Sequence, residues 1–168
     1  HGQTFTESFD IVADPRLTTI TQADFDAQFK LSSQVAQRVD DAHRAVLQVR
    51  DVRAQVDDRL SKSTDASLRT EATAFKTNTA AVEGEIYQVK NQSSQDPLNF
   101  PVKINNKIAS LAGVASSGPY RPTQQSVEVY EEVSQMLRVQ TDRLEKILRE
   151  DLERLNRQLR AAGKEAIV

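Results

Sequence analysis

The stretch VAQRVDDAHRAVLQVRDVRAQVDDRL, residues 35–60, decides the fold. Stepping alternately four and three residues along it lands on Val35, Val39, Ala42, Val46, Val49, Arg53, Val56 and Leu60, and seven of these eight positions are apolar. Residues three and four apart share one face of an α-helix, so this is an apolar stripe on a helix whose other faces carry Arg, Asp and Gln. Phe25 and Phe29 continue the stripe backwards. Thr21 offers a hydroxyl to the amides of Ala23 and Asp24, and the Asp24 charge suits the first turn. The stretch predicts one helix over about 21–62, roughly 60 Å long.

Downstream, Ser61 to Asp65 is a polar break. A second helix, about 65–89, carries Leu68, Ala72, Phe75, Thr79, Val82, Ile86 and Val89 on one stripe, with Gly84 as a weak point worth about 1 kcal/mol relative to Ala. Lys90 to Asp96 reads as a loop. A third helix, about 102–116, turns Ile104, Ile108, Leu111 and Ala112 inward and stops at Gly118-Pro119. A fourth, about 123–162, opens at Thr123 and ends at Gly163. Its stripe is Val133, Leu137, Leu144, Leu148, Leu152, Leu155 and Leu159. Two eleven-residue series run through it, and that period predicts a nearly straight helix.

Rods of this length exceed the roughly 40 Å diameter of a compact 168-residue ball. The expected architecture is therefore an all-α, elongated up-down bundle, three helices thick. The first helix runs up, the second and third stack end to end coming down, and the fourth runs up again, parallel to the first. Residues 18–168 form this helical domain. Residues 1–17 differ: Phe5-Thr6-Glu7-Ser8-Phe9-Asp10-Ile11 alternates with a period near two, as a strand does. A lone strand leaves its backbone groups unpaired, so residues 1–17 read as the last strand of an upstream β domain, or a linker from it, with Asp14-Pro15-Arg16 as the exit turn.

The chain has 22 Lys+Arg, 24 Asp+Glu, two His and no Cys. Without Cys there is no disulfide, thiolate zinc site or thiol nucleophile. The net charge of -2 lacks the basic excess of a nucleic-acid binder, and no apolar run approaches the roughly 18 residues that span a bilayer. His1 is the terminal residue, and His43 has only Asp40 near it at helical spacing, which is too few ligands for a metal. The acidic pairs Asp40-Asp41, Asp57-Asp58, Glu131-Glu132 and Glu150-Asp151 splay about 100° apart on a helix, and so do not converge as an acid and base would. Glu145 with Arg149, Glu150 with Arg154 and Glu153 with Arg157 are spaced for surface pairing.

Arg53, which interrupts the first stripe, is expected to lay its stem along the core edge and pair with Asp57 or a carboxylate of a neighbouring helix; the alternative is an anchor for a ligand anion. Asn91-Gln92-Ser93 matches a glycosylation sequon. Pro97 and Pro101 bracket Phe100 and present it as a wedge, either plugging the junction of the second and third helices or forming a recognition loop, with Asn105 and Asn106 in the turns that follow. No residue is assigned a catalytic, cofactor-binding or metal-ligating role.

Pro101-Val102-Lys103-Ile104-Asn105-Asn106-Lys107-Ile108-Ala109-Ser110-Leu111-Ala112-Gly113-Val114, then Arg121-Pro122-Thr123, then Leu155-Asn156-Arg157-Gln158-Leu159-Arg160, resembles the C-terminal helical region of large bacterial secreted proteins. Those carry a sortilin-like β-propeller of BNR repeats and are labelled glycosyl hydrolases. Gly2-Gln3-Thr4-Phe5-Thr6 through Asp14-Pro15-Arg16 resembles the final strand of their Ig-like domain. The resemblance implies a periplasmic or extracellular location. It also implies that this chain is not itself an enzyme but a non-catalytic accessory domain whose partners are the other domains of its parent. A protein-binding or self-associating module is the alternative.

Overall fold

The structure is a computed structural model and describes residues 2–61 and 63–168. It is all-α: α1 spans Gln22–Leu60, α2 Ala66–Ile86, α3 Ile104–Ala115, α4 Gln124–Ile147 and α5 Glu153–Ala161. A π turn, Leu148–Leu152, joins α4 to α5, so that one rod runs from Gln124 to Ala161. With 39 residues, α1 is about 58 Å long.

Cross-bundle contacts fix the directions. At one end Arg121, just before α4, bonds Asp24 at the start of α1, at 2.9 Å. At the other, Val168 meets Gln55 near the end of α1. Thus α1 and the α4–α5 rod run parallel. Helix α2 runs against both, with Lys76 paired to Asp57 and Asn78 bonded to Asp151. Helix α3 continues downwards until its end meets Gln28 of α1, whose amide donates to the carbonyls of Ala115 and Gly118 at 2.8 and 2.6 Å. The stacked second and third helices, packed between two parallel rods, are as expected.

The stripes also hold. Val35, Ala42, Val46, Val49 and Val56 are buried, joined by Leu31, Ala45 and Val52. From the other helices come Leu68, Phe75, Ile86, Ile108, Leu137, Leu155 and Leu159. Four expectations need correction. Phe29 is 75% exposed, because Leu31, roughly 160° round the helix from it, is the residue that faces the core at that level. Helix α2 ends at Ile86, not residue 89; Tyr87 is extended and leaves Val89 exposed. In α3, Ala115 is buried rather than Ala112. The fourth helix is not one regular ladder.

Its π turn has a packing reason. On an uninterrupted helix at about 100° per residue, Leu159 would be rotated roughly 80° from Val133. A π turn closes bonds at i+5, and so takes one more residue per turn and removes part of that drift. Val133 and Leu159 both stay buried, Ile147 and Leu152 join them, and Leu148 becomes only half-buried.

Helix ends follow the expected chemistry with one change. The Thr21 hydroxyl donates to the Asp24 carboxylate at 2.7 Å, and the Thr21 amide does so at 2.9 Å. These bonds, with the Arg121 guanidinium, hold the Asp24 carboxyl down at about 2 from an ordinary 3.8. The sign is that of a depressed acid: its stabilisation is complete above 3.8 and fades as pH falls toward 2. Asp24→Asn should therefore flatten part of the acid limb in thermal melts taken from neutral pH to pH 2, while changing the neutral-pH helicity little. Gly163, at φ +70°, ends the rod: Lys164 N–H donates to Leu159 O at 2.9 Å and Gly163 N–H to Arg160 O at 3.0 Å.

Residues 2–13 form neither helix nor strand and are exposed. Among the described residues there is no strand for them to pair with. The turn after them does form, with Leu17 N–H donating to Asp14 O at 2.9 Å and the Asp14 carboxylate gripping Arg16.

Candidate functional site

Apolar side chains are consumed at most helix contacts, and concave surface survives at several places along and between the rods. Antiparallel neighbours pack tightly here, whereas the parallel α1 and α4 stand further apart. Between them lies a cleft of about 380 Å³. Its floor is Ala45, Leu137, Leu144 and Leu148, and its rim is Arg38, Asp41, Arg44, Arg138, Thr141 and Glu145. Asp41 pairs with Arg38 at 2.7 Å and with Arg44 at 2.9 Å, and Arg44 also reaches Asp40 at 2.8 Å. Arg138 bonds the amide oxygen of Gln135 at 2.9 and 2.7 Å, and among the described residues no carboxylate pairs with it. The cleft can hold an apolar body with an acidic end. Its one hydroxyl, Thr141, donates to the Arg138 carbonyl at 3.0 Å.

The second polar cluster is buried. Glu83 of α2 is 5% exposed, yet it takes Arg50 Nε on one oxygen at 2.6 Å and Arg53 on the other at 2.9 Å. Arg50 also lies over the Tyr87 ring, 5.1 Å from its centre. Arg53 thus pairs with a carboxylate of a neighbouring helix, the structural role expected for it, and its charge is spent inside the fold.

The other singled-out residues do not converge. His43 is exposed on α1, and His1 lies outside the described residues. Among the described residues, no three His, Asp or Glu side chains gather as a metal set would. Glu145 reaches Arg149 at 4.0 Å as spaced, but Arg154 pairs with Glu71 of α2 and with Asp151, and Glu153 reaches Arg160. The π turn lies between Glu150 and Arg154 and alters their spacing, whereas Glu153 and Arg157 both lie on the regular helix α5.

The Pro-bracketed segment contains a short 3₁₀ turn, Asp96–Leu98. Asp96 accepts from the amide of Ser93 at 2.8 Å and from that of Gln92, bonds that lower its carboxyl pKa. Phe100 is half-buried under Lys90, 5.6 Å from the ring centre, and does not reach the core. The junction of α2 and α3 is filled instead by Ile86, Gln88, Ile104 and Asn105. Gln88 ties the loop by donating to Pro101 O at 2.9 Å. Asn91 of the sequon has its amide oxygen enclosed without a partner.

The cleft and Glu83 were not singled out from sequence. Arg53, a charge in an apolar stripe, was the one legible signal of a buried acid opposite. No family model, curated protein or solved structure matches the chain.

Proposed function

We propose that the chain is a non-catalytic accessory domain: a rigid helical rod that serves a larger secreted protein as spacer, stabiliser or docking surface. Its partners are then the other domains of that protein, and its location is periplasmic or extracellular, as the resemblance to the helical region of sortilin-like BNR-repeat proteins implies. The observation that supports this reading best is where the unused apolar side chains lie. Phe5, Phe9, Ile11 and Val12 are each more than three-quarters exposed, on an arm with a strand's alternation and, among the described residues, no strand beside it. Such an arm gains pairing and burial by completing the sheet of a neighbouring β domain.

In the parent protein, deletion of residues 18–168 should leave hydrolysis by the propeller within about twofold, a change worth under 1 kcal/mol. Loss of activity with the propeller still folded would refute the reading. In the isolated chain, Phe5→Ser with Phe9→Ser should leave the melting temperature unchanged, because neither side chain touches the core.

A specific feature favours a second reading, self-association. Val129 and Met136 stand one heptad apart on α4, with Val139 beside them, and all three are exposed. Sedimentation at several concentrations separates the two: a monomer throughout excludes a helix-to-helix dimer.

A further inference from the structure

The cleft between α1 and α4 has a direction. Arg121 and Asp24, 97 residues apart, bond each other at 2.9 Å where the two parallel rods begin. Carried along the rods, that offset sets Arg138 level with Asp41 and Glu145 level with Gln48. The guanidinium groups of Arg38, Arg44 and Arg138 therefore gather at the end nearer the helix starts, while Leu144 and Leu148 carry the apolar floor away from them. From Arg38 to Gln48 on one wall, and from Leu137 to Leu148 on the other, the cleft runs about 15 Å along the rods. Its volume of about 380 Å³ falls in the roughly 300–1,000 Å³ range of small-molecule sites.

The pairings of this rim are incomplete. Asp41 accepts from both Arg38 and Arg44, and Arg44 also reaches Asp40. Glu145 turns to Arg149, one turn further along the rod, at 4.0 Å. Arg138 is left with a neutral amide. Its Nε and Nη2 both donate to the Gln135 oxygen, and among the described residues nothing accepts from its Nη1. A guanidinium carries five N–H donors in a planar fork, so the outer edge of Arg138, formed by Nη1 and Nη2, is open to two oxygens side by side. Arg38 adds an enclosed Nε–H that has no partner. Unspent cationic donors thus stand at one end of an apolar trough.

We propose that the cleft is a binding site for a monocarboxylate with an extended apolar body, of the class of a medium-chain fatty acid. Its carboxylate sits on the outer edge of Arg138, and its chain lies over Ala45, Leu144 and Leu148. Removing that chain from water supplies affinity, and the guanidinium supplies orientation. A single negative charge fits best, because Asp41 and Glu145 stand on the same rim and repel a dianion. The site stands whether or not the domain serves a larger protein.

The test titrates decanoate into the full chain and follows its backbone amide resonances. Saturable shifts should centre on Ala45, Leu137, Thr141 and Leu144, with half-saturation below about 1 mM. Arg138 is exposed, so Arg138→Gln leaves the core intact. That variant should bind decanoate about tenfold more weakly, the loss expected for one charge-assisted pair, and Arg138→Lys should recover part of it. Decanol, which lacks the charge, should bind the unmodified chain about as weakly as decanoate binds Arg138→Gln. Thr141→Trp, which fills the mouth of the cleft, should abolish binding of both. No saturable shift up to about 10 mM decanoate, or unchanged affinity in Arg138→Gln, overturns the proposal. Shifts centred on the exposed Val129, Met136 and Val139 do the same. Should Arg138→Gln lose helicity, the unmodified chain decides: decanol binding as tightly as decanoate overturns the carboxylate site. Decyl phosphate at about pH 8, where it is a dianion, should bind more weakly than decanoate, and tighter binding overturns the monocarboxylate assignment.

Discussion

Phe75→Ala should lower the free energy of unfolding by about 3–5 kcal/mol, the range for truncating a buried aromatic. Phe75 is 1% exposed and sits on α2, the helix that touches α1, α3, α4 and α5. The other aromatic side chains of the described residues are half-buried or exposed. Nothing else in this core has comparable volume, and the rods around the site are too long and stiff to collapse into the hole. Phe75→Leu, which keeps most of the volume, should cost only about 1 kcal/mol. Urea melts of the two variants check the pair. Equal losses would mean that the site relaxes freely and that the bundle is less tightly packed than its burial pattern indicates.

The second large effect is non-additive. Glu83 is buried and shares its two oxygens between Arg50 and Arg53. Arg50→Met or Arg53→Met alone leaves one guanidinium in place, and each should cost about 1 kcal/mol. Both together strand a carboxylate in the interior, for which about 3–5 kcal/mol is the typical penalty. Adding Glu83→Met to the double variant should restore most of the loss, because three apolar side chains of similar length then fill the same space. The measured quantity is the coupling in a thermodynamic cycle. A double variant that merely sums the two single losses would mean that water reaches Glu83 and that the arginines do not act as a pair.

Much of the architecture was legible because its cause is local and repetitive. Apolar residues at three- and four-residue steps from Val35 to Val56 define a helix face whatever packs on it. Helices of that length cannot share a sphere, so their parallel and antiparallel order followed from length alone. Thr21 and Gly163 marked helix ends by the chemistry of orphan amides and of left-handed backbone. The period-two alternation of residues 5–11 predicted a strand there, and residues 2–13 form none.

The candidate sites were mostly not legible. Gln55 lies among surface-type residues, and its amide is functional in the fold only because Val168, 113 residues away, returns beside it. Asn156 gave a faint signal as a polar residue on an apolar face, but nothing local could point it at Ile167, whose N–H and carbonyl it bonds. Phe29 was placed on the α1 stripe and yet stands in water, because Leu31, on the other side of the helix, is the residue that packs inward there. The cleft beneath Arg138 exists because α1 and α4 approach each other less closely than either approaches α2 or α3. The sequence alone settled the helical periodicity and the ends marked by Thr21 and Gly163, since each depends on neighbours within a turn or two. Tertiary structure alone decided which charges are buried, where the rods part and what the last residues touch, since each depends on groups brought together only when the rods associate.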